Sequence, residues 1–291
     1  MERQRVASRT LPGMDDRPIG MFDSGFGGLT VARAVIDLLP AERLVYVGDT
    51  GRYPYGPRPL GQVRDFAFEI ASHLVDDHGV KLLVVACNTA AAAVPLTELE
   101  RTFGVPVVGV IEPGVRSVAM VTQGGRIGVI GTVGAIASGA YQRTVARVAP
   151  GLELTCAACP GFVEFVERGE TASDQVHVLA ERLLAPLRDA KVDALLLGCT
   201  HYPFLARTIS DVMGRDVVLV SSADETAFDV RAQLETNLRG LGAPQAGDGE
   251  RRHRWLSSGD VRVFRELGRR LLGPELEHAE AVPWAEAVPW A

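Results

Sequence analysis

Two cysteines stand where a chain can do chemistry. Cys87 lies in Ala86-Cys87-Asn88-Thr89 and Cys199 in Gly198-Cys199-Thr200-His201, 112 residues apart. Each follows an apolar run of strand type, residues 81–85 and 193–197, and each leads into a helix-like segment. A free thiol with a pKa of about 8.5 is only slightly ionised at neutral pH. A helix N-terminus favours the thiolate, because its unpaired N–H groups and dipole attract negative charge. The same N–H groups, with Asn88, Thr89, Thr200 and His201, suit a carboxylate ligand. His201 adjoins Cys199 and is placed to orient or buffer that thiol. A lone cysteine after a strand is more often a small buried hydrophobe. Two in matching contexts favour two halves of one site.

Other motifs are weaker. Cys156-Ala157-Ala158-Cys159 has the spacing of a redox pair or half a zinc site, but no second CxxC accompanies it, and structural or incidental thiols are expected. Gly25-Phe26-Gly27-Gly28 departs from the GxGxxG spacing of a dinucleotide loop. The chain has no P-loop lysine motif and no HExxH metal motif. His73, His78 and His177 fall in helix-like segments, where packed or solvated roles are expected.

The elements that must position these residues alternate. Strands are predicted at 18–22, 44–47, 81–85, 105–110, 126–130, 152–156, 193–197, 217–220 and 254–257. Helices are predicted at 29–39, 62–77, 135–148, 173–189, 223–241 and 261–272, with Ser173 as an N-cap and further helices after the two cysteines. Glu112-Pro113-Gly114 reads as the end of a strand. The Gly/Pro-rich stretch 48–61 is too long for a simple connector and suits a loop over a site. This pattern predicts an α/β fold with parallel sheets covered on both faces. Ligands of such sheets bind beyond the carboxyl ends of strands, at topological switch points. Asp23-Ser24, Tyr55-Gly56, Cys87 and Cys199 all fall at or just beyond predicted strand ends.

The 291 residues suffice for two modest domains, and 47% hydrophobic content supports buried cores. A net charge of −6 gives no electrostatic reason to expect nucleic acid. Four cysteines are too few for a disulfide scaffold, so reduced thiols and a cytoplasmic setting are expected. The N-terminal stretch lacks a signal-peptide apolar core, Met14 is an alternative start, and no run suggests a membrane span.

Together the motifs resemble the glutamate racemases of the cofactor-independent aspartate/glutamate racemase superfamily. The resemblance rests on residues 22–30 (FDSGFGGLT), Asp49-Thr50 with Tyr53-Pro54-Tyr55-Gly56, Ala86-Cys87-Asn88-Thr89-Ala90, Ile130-Gly131-Thr132 and residues 197–203 (LGCTHYP). It spans residues 18–272. It implies two similar α/β domains with mainly parallel sheets flanked by helices and an active site in the cleft between them. The implied boundaries are 17–111 plus 222–275 for the first domain, carrying Cys87, and 112–221 for the second, carrying Cys199. Loosely ordered termini are expected at 1–16 and 276–291.

The resemblance also implies racemisation by two thiols, with Cys87 deprotonating D-glutamate and Cys199 deprotonating L-glutamate. Asp23 and His201 assist, and substrate contacts fall to Asp23, Ser24, Tyr55, Gly56, Asn88, Thr89, Thr132, Thr200 and His201. Ordinary capping at strand–helix turns is the competing explanation for Asp23, Asn88, Thr89 and Thr132. No pyridoxal phosphate, other cofactor or metal is implied. The implied product feeds peptidoglycan synthesis. The implied partner is glutamate; a homodimer and DNA gyrase rest on family analogy alone, and a membrane partner is not expected. One departure stands out: Ala135 occupies a position where the family usually has threonine, so a hydroxyl contact to substrate is expected to be missing. The rival functions are racemisation of aspartate or another acidic amino acid, and a low-turnover protein-binding role.

Overall fold

The structure is a computed structural model that describes residues 15–237, 253–282 and 284. Two sheets carry all its strands, and every strand pair is parallel. The first sheet contains β1 (Ile19–Asp23), β2 (Leu44–Gly48), β3 (Leu82–Val85), β4 (Val107–Gly109), β9 (Arg254–Ser257) and β10 (Glu280–Ala281), in the order β10-β9-β2-β1-β3-β4. The second contains β5 (Arg126–Gly131), β6 (Glu153–Ala158), β7 (Ala194–Gly198) and β8 (Val218–Val220), in the order β6-β5-β7-β8. Strands β1, β2, β3 and β7 are buried at every residue, which is why they read as continuous apolar runs.

Helices separate the strands. Residues 29–109 include α1 (Leu29–Leu38), α2 (Leu60–Ser72), α3 (Asn88–Ala93) and α4 (Leu96–Phe103). Then come α5 (Ile111–Val121), α6 (Val133–Ala137), α7 (Ala140–Val148), α8 (Phe162–Glu167), α9 (Asp174–Asp189) and α10 (Ala206–Met213). The chain returns to the first sheet through α11 (Ala223–Asn237) and α12 (Val261–Leu272). The Ser173 hydroxyl caps α9 by accepting from the Val176 N–H, as its sequence position predicts.

The strand orders create the switch points that position the site. In the first sheet the chain steps from β1 to β2 on one side and later to β3 on the other. In the second it steps from β5 to β6 and later to β7. Asp23 ends β1 and Cys87 follows β3; Thr132 follows β5 and Cys199 follows β7. Each pair therefore brackets a crevice at a carboxyl edge. One apolar cluster joins Ile19, Leu29 and Val35 of the first half to Leu184, Leu195 and Ile209 of the second, so the sheets share a continuous core.

Three expectations need correction. Glu112-Pro113-Gly114 does not merely end a strand; it forms the first turn of α5, where proline's missing N–H costs nothing. The helix expected over 135–148 is two, α6 and α7, because Gly139 adopts φ 71° between them. The chain beyond 275 is ordered over its described part. Leu276 is fully buried, β10 pairs with β9, and Val282 is buried. Trp284 packs edge-on against His73, with ring centroids 4.6 Å apart. The remainder of the tail, residues 1–14 and the stretch 238–252 lie outside the described residues. Among the described residues, no helix is long and apolar enough to cross a membrane.

Candidate active site

The first half of the site grows from the ends of β1 and β3. Asp23 is fully buried; its Oδ1 accepts the Gly25 N–H at 2.8 Å, tightening the turn into α1. Cys87 caps α3, with its sulfur 3.5 Å from the Ala90 nitrogen, and its thiol faces Ser24 Oγ at 3.7 Å. Asn88 and Thr89 follow in the first turn of α3 and are buried.

The second half grows from β5 and β7, whose register sets Gly131 beside Gly198. Thr132 caps α6 by accepting the Ala135 N–H, and its hydroxyl lies 2.9 Å from that of Thr89. Cys199, Thr200 and His201 follow β7. Thr200 donates to Asp23 Oδ2 at 3.2 Å, across from one half to the other. His201 is buried, with Nδ1 3.9 Å from Cys199 Sγ and Nε2 2.9 Å from Glu167 Oε1. So many buried polar side chains gathered at one place, against the edges of the apolar core, mark a site rather than a packing accident.

These residues enclose one cavity. Its walls include Ser24, Tyr55, Gly56, Cys87, Asn88, Thr89, Thr132, Cys199, Thr200 and His201, all expected from the sequence. Asp23, also expected, sits behind the wall and acts through Gly25, Thr200 and the Cys87 thiol. The space open to the centre of a water molecule is about 20 Å³, room for about one water. The loop expected to cover the site does so: Gly56 C=O accepts the Gly134 N–H at 3.0 Å, joining the loop to α6. Tyr55 turns its hydroxyl away to Asp49, which also accepts from Arg52 Nε at 2.8 Å and from the Ser258 hydroxyl. Tyr55 therefore presents ring and backbone to the cavity, while its phenol braces the loop.

Sequence reasoning missed Tyr53, Pro54 and Val163 as wall residues and Glu167 as the partner of His201. Glu167 closes the short helix α8, which has too few residues to show helical periodicity in the sequence.

Charge is tuned in opposite ways at Cys87 and at His201. The expected fall in the Cys87 pKa is reversed: burial, helped by the nearby Asp23 charge, pushes it up to about 12, and the Ala90 N–H only partly offsets this. Burial also raises the Asp23 carboxyl, against the pull of His201 and the Gly25 N–H. His201 runs the other way. Burial alone lowers an imidazole, but its bonds to Cys199 and Glu167 outweigh that and hold its pKa at about 10. The site thus pairs a protonated thiol at Cys87 with a cationic imidazole beside Cys199.

Cys156 and Cys159 are free thiols outside the cavity walls, raised by burial to about 11 and about 12, as suits structural cysteines. Among the described residues, no group of three or more His, Cys, Asp and Glu side chains is arranged to hold a metal ion. Ala135 is fully buried, lies outside the cavity wall and packs with Ile111, Val115 and Tyr141. Ala135→Thr forces two extra heavy atoms into that core. It is expected to cost about 1–3 kcal/mol of stability without lowering the KM for glutamate, checked by thermal melts and steady-state kinetics.

Comparison with known proteins agrees with this geometry. The Asp/Glu/Hydantoin racemase family model matches residues 27–227. The chain is 55% identical to the glutamate racemase of Beutenbergia cavernae over 91% of this chain and 92% of that protein. It is 51% identical to the glutamate racemase of Acidothermus cellulolyticus, over 91% of this chain and 98% of that one. Among solved structures, a glutamate racemase isoform from Bacillus anthracis superposes with TM-score 0.82 at 39% identity, covering 94% of this chain and 98% of the other. The Francisella tularensis glutamate racemase in complex with D-glutamate gives TM-score 0.82 at 32% identity, covering 93% and 98%. The chain therefore belongs to the Asp/Glu/Hydantoin racemase family and, within it, to the glutamate racemases.

Proposed function

We propose that this chain interconverts L- and D-glutamate by moving a proton between Cys87 and Cys199 across the α-carbon, supplying D-glutamate for peptidoglycan synthesis. One observation carries the reading: two thiols from the carboxyl ends of central strands in different sheets line a single closed cavity. Racemisation needs a base on one face of the α-carbon and an acid on the other. With its thiol protonated, Cys87 is the donor, and Cys199 is then the base that takes the α-proton of L-glutamate. The reverse direction exchanges the roles.

Positioned acid–base catalysis supplies about 10²–10⁴-fold, so it does not suffice for so weak an acid as an α-C–H bond. Hydrogen-bond donors around the substrate carboxylate, which gains negative charge as the proton leaves, supply the remainder. The Ser24 hydroxyl, the remaining proton of the Thr89–Thr132 hydroxyl pair and the N–H groups at the start of α3 are the donors at hand. The loop held to α6 leaves the cavity room for about one water. Glutamate has ten heavy atoms and does not fit the closed cavity, so turnover includes separation of the two halves.

The test uses purified protein with D- or L-glutamate in D₂O and no added cofactor. Racemisation with deuterium at the α-carbon of product is expected. Aspartate is expected to react about 10–200-fold less well, the discrimination one methylene allows. Absence of exchange with either amino acid sinks the racemase assignment; faster turnover of aspartate reassigns the substrate.

A further inference from the structure

Tyr141 is fully buried at the start of α7 and lies outside the cavity wall. Its hydroxyl accepts from Asn88 Nδ2 at 2.8 Å and donates to the Gly198 C=O at 3.4 Å. Asn88 immediately follows Cys87, and Gly198 immediately precedes Cys199. One phenol oxygen thus spans the two cysteine turns, which belong to different sheets. The polarity of the bridge is determined: the amide nitrogen only donates and the carbonyl only accepts, so the phenol must do one of each. Burial raises the Tyr141 phenol well above its ordinary range, so the proton stays in place at every working pH.

The surroundings are built for this approach. A Cβ at Gly198 would stand 2.6 Å from the Tyr141 hydroxyl and 2.6 Å from the Ile130 carbonyl oxygen, so only glycine admits the phenol there. The break at Gly139 swings α7 to the point where Tyr141 reaches both turns. Holding Asn88 by its nitrogen leaves its amide oxygen as the acceptor for substrate, the polarity an α-ammonium group requires.

The geometry points to Tyr141 as a positioning residue that sets the separation of the two thiols across the substrate α-carbon and the orientation of the Asn88 amide. This inference rests on the two-thiol reading above. Proton transfer is steep in donor–acceptor distance, and a misplacement of about 1 Å can cost about 10²-fold in rate.

The test is Tyr141→Phe, which deletes the hydroxyl and keeps the ring. A kcat about 10–100-fold lower is expected, with KM for glutamate within about 3-fold of wild type. The isotope effect on α-deuterated glutamate is expected to rise in both directions, because proton transfer becomes more fully rate-limiting. A melting curve checks folding. In an Asn88→Ala background the same substitution is expected to cost less than its effect alone, since both act through one bridge. Normal kcat and isotope effects in Tyr141→Phe overturn the proposal, as does lost activity tracking lost melting temperature with the isotope effect unchanged. Wild-type protein run beside the variant separates the two claims. If wild type does not racemise glutamate, the two-thiol reading and this inference fall together; if it does and Tyr141→Phe matches it, only the inference falls.

Discussion

Cys87→Ala and Cys199→Ala each lower racemisation at least about 10³-fold, and each leaves a different remnant activity. A variant with one thiol removes and returns the α-proton on the same face, so it exchanges hydrogen with solvent without inverting the carbon. Cys199→Ala retains Cys87 and is expected to wash deuterium into D-glutamate only. Cys87→Ala retains Cys199 and is expected to wash it into L-glutamate only. The measurement is NMR of the α-proton in D₂O with each enantiomer separately. Exchange of both enantiomers by either variant removes the assignment of one thiol to one face. Full racemisation by either variant removes that thiol from the mechanism altogether. The wild-type asymmetry points the same way: Cys87 is the protonated partner, with burial and Asp23 holding its pKa at about 12, and this form is ready for L-glutamate.

Much of this site was legible because its parts lie at strand ends. Continuous apolar runs such as Leu82–Val85 and Ala194–Gly198 mark strands buried on both faces, and the residue after such a strand sits at the carboxyl edge. Cys87, Cys199 and Asp23 are legible that way, whereas Thr132 follows only from the family resemblance. The partners that tune them were not legible, because tuning is a matter of distances through space. Glu167 is 34 residues from His201 and belongs to a six-residue helix. Tyr141 reads as an ordinary core aromatic, and nothing local reveals that its hydroxyl reaches from Asn88 to Gly198. The order of the C-terminal segment was missed for a similar reason. Leu276, Val282 and Trp284 are too sparse to form a periodic pattern, yet each finds a prepared surface, Trp284 beside His73 and 5.9 Å from the Arg52 guanidinium. The pKa of Cys87 was misjudged because a helix N-terminus is visible in sequence, while complete burial beside a carboxylate is not.

His201→Asn lowers kcat/KM about 10²-fold or more, and Glu167→Gln moves the alkaline limb of the rate profile to lower pH. His201 holds a proton on both ring nitrogens when charged, one facing Glu167 at 2.9 Å and the other facing Cys199 at 3.9 Å. Its ring is clamped by Phe26, 5.0 Å away edge-on, and by Tyr53 at 5.9 Å, so it cannot turn to another partner without opening the core. A Cβ at Gly27 would come within 2.6 Å of His201 Nδ1, which shows how closely the first half presses on this ring. Burial opposes the charged form, and the Cys199 and Glu167 contacts restore it, giving a folded pKa of about 10. An unfolded histidine titrates at about 6.5. Because the folded value is the higher, the stabilisation is fully present below about pH 6.5 and is lost as pH rises through about 10. The melting temperature of wild type is therefore expected to fall between pH 7 and 10 more steeply than that of His201→Asn. Glutamine at 167 preserves the shape but removes the anion, so the imidazole gives up its proton at a lower pH, and activity that depends on the cation is lost there. A Glu167→Gln profile superposable on wild type would show that His201 acts without its charge. A His201→Asn variant with an unchanged slope of melting temperature against pH would place the titration elsewhere in the protein.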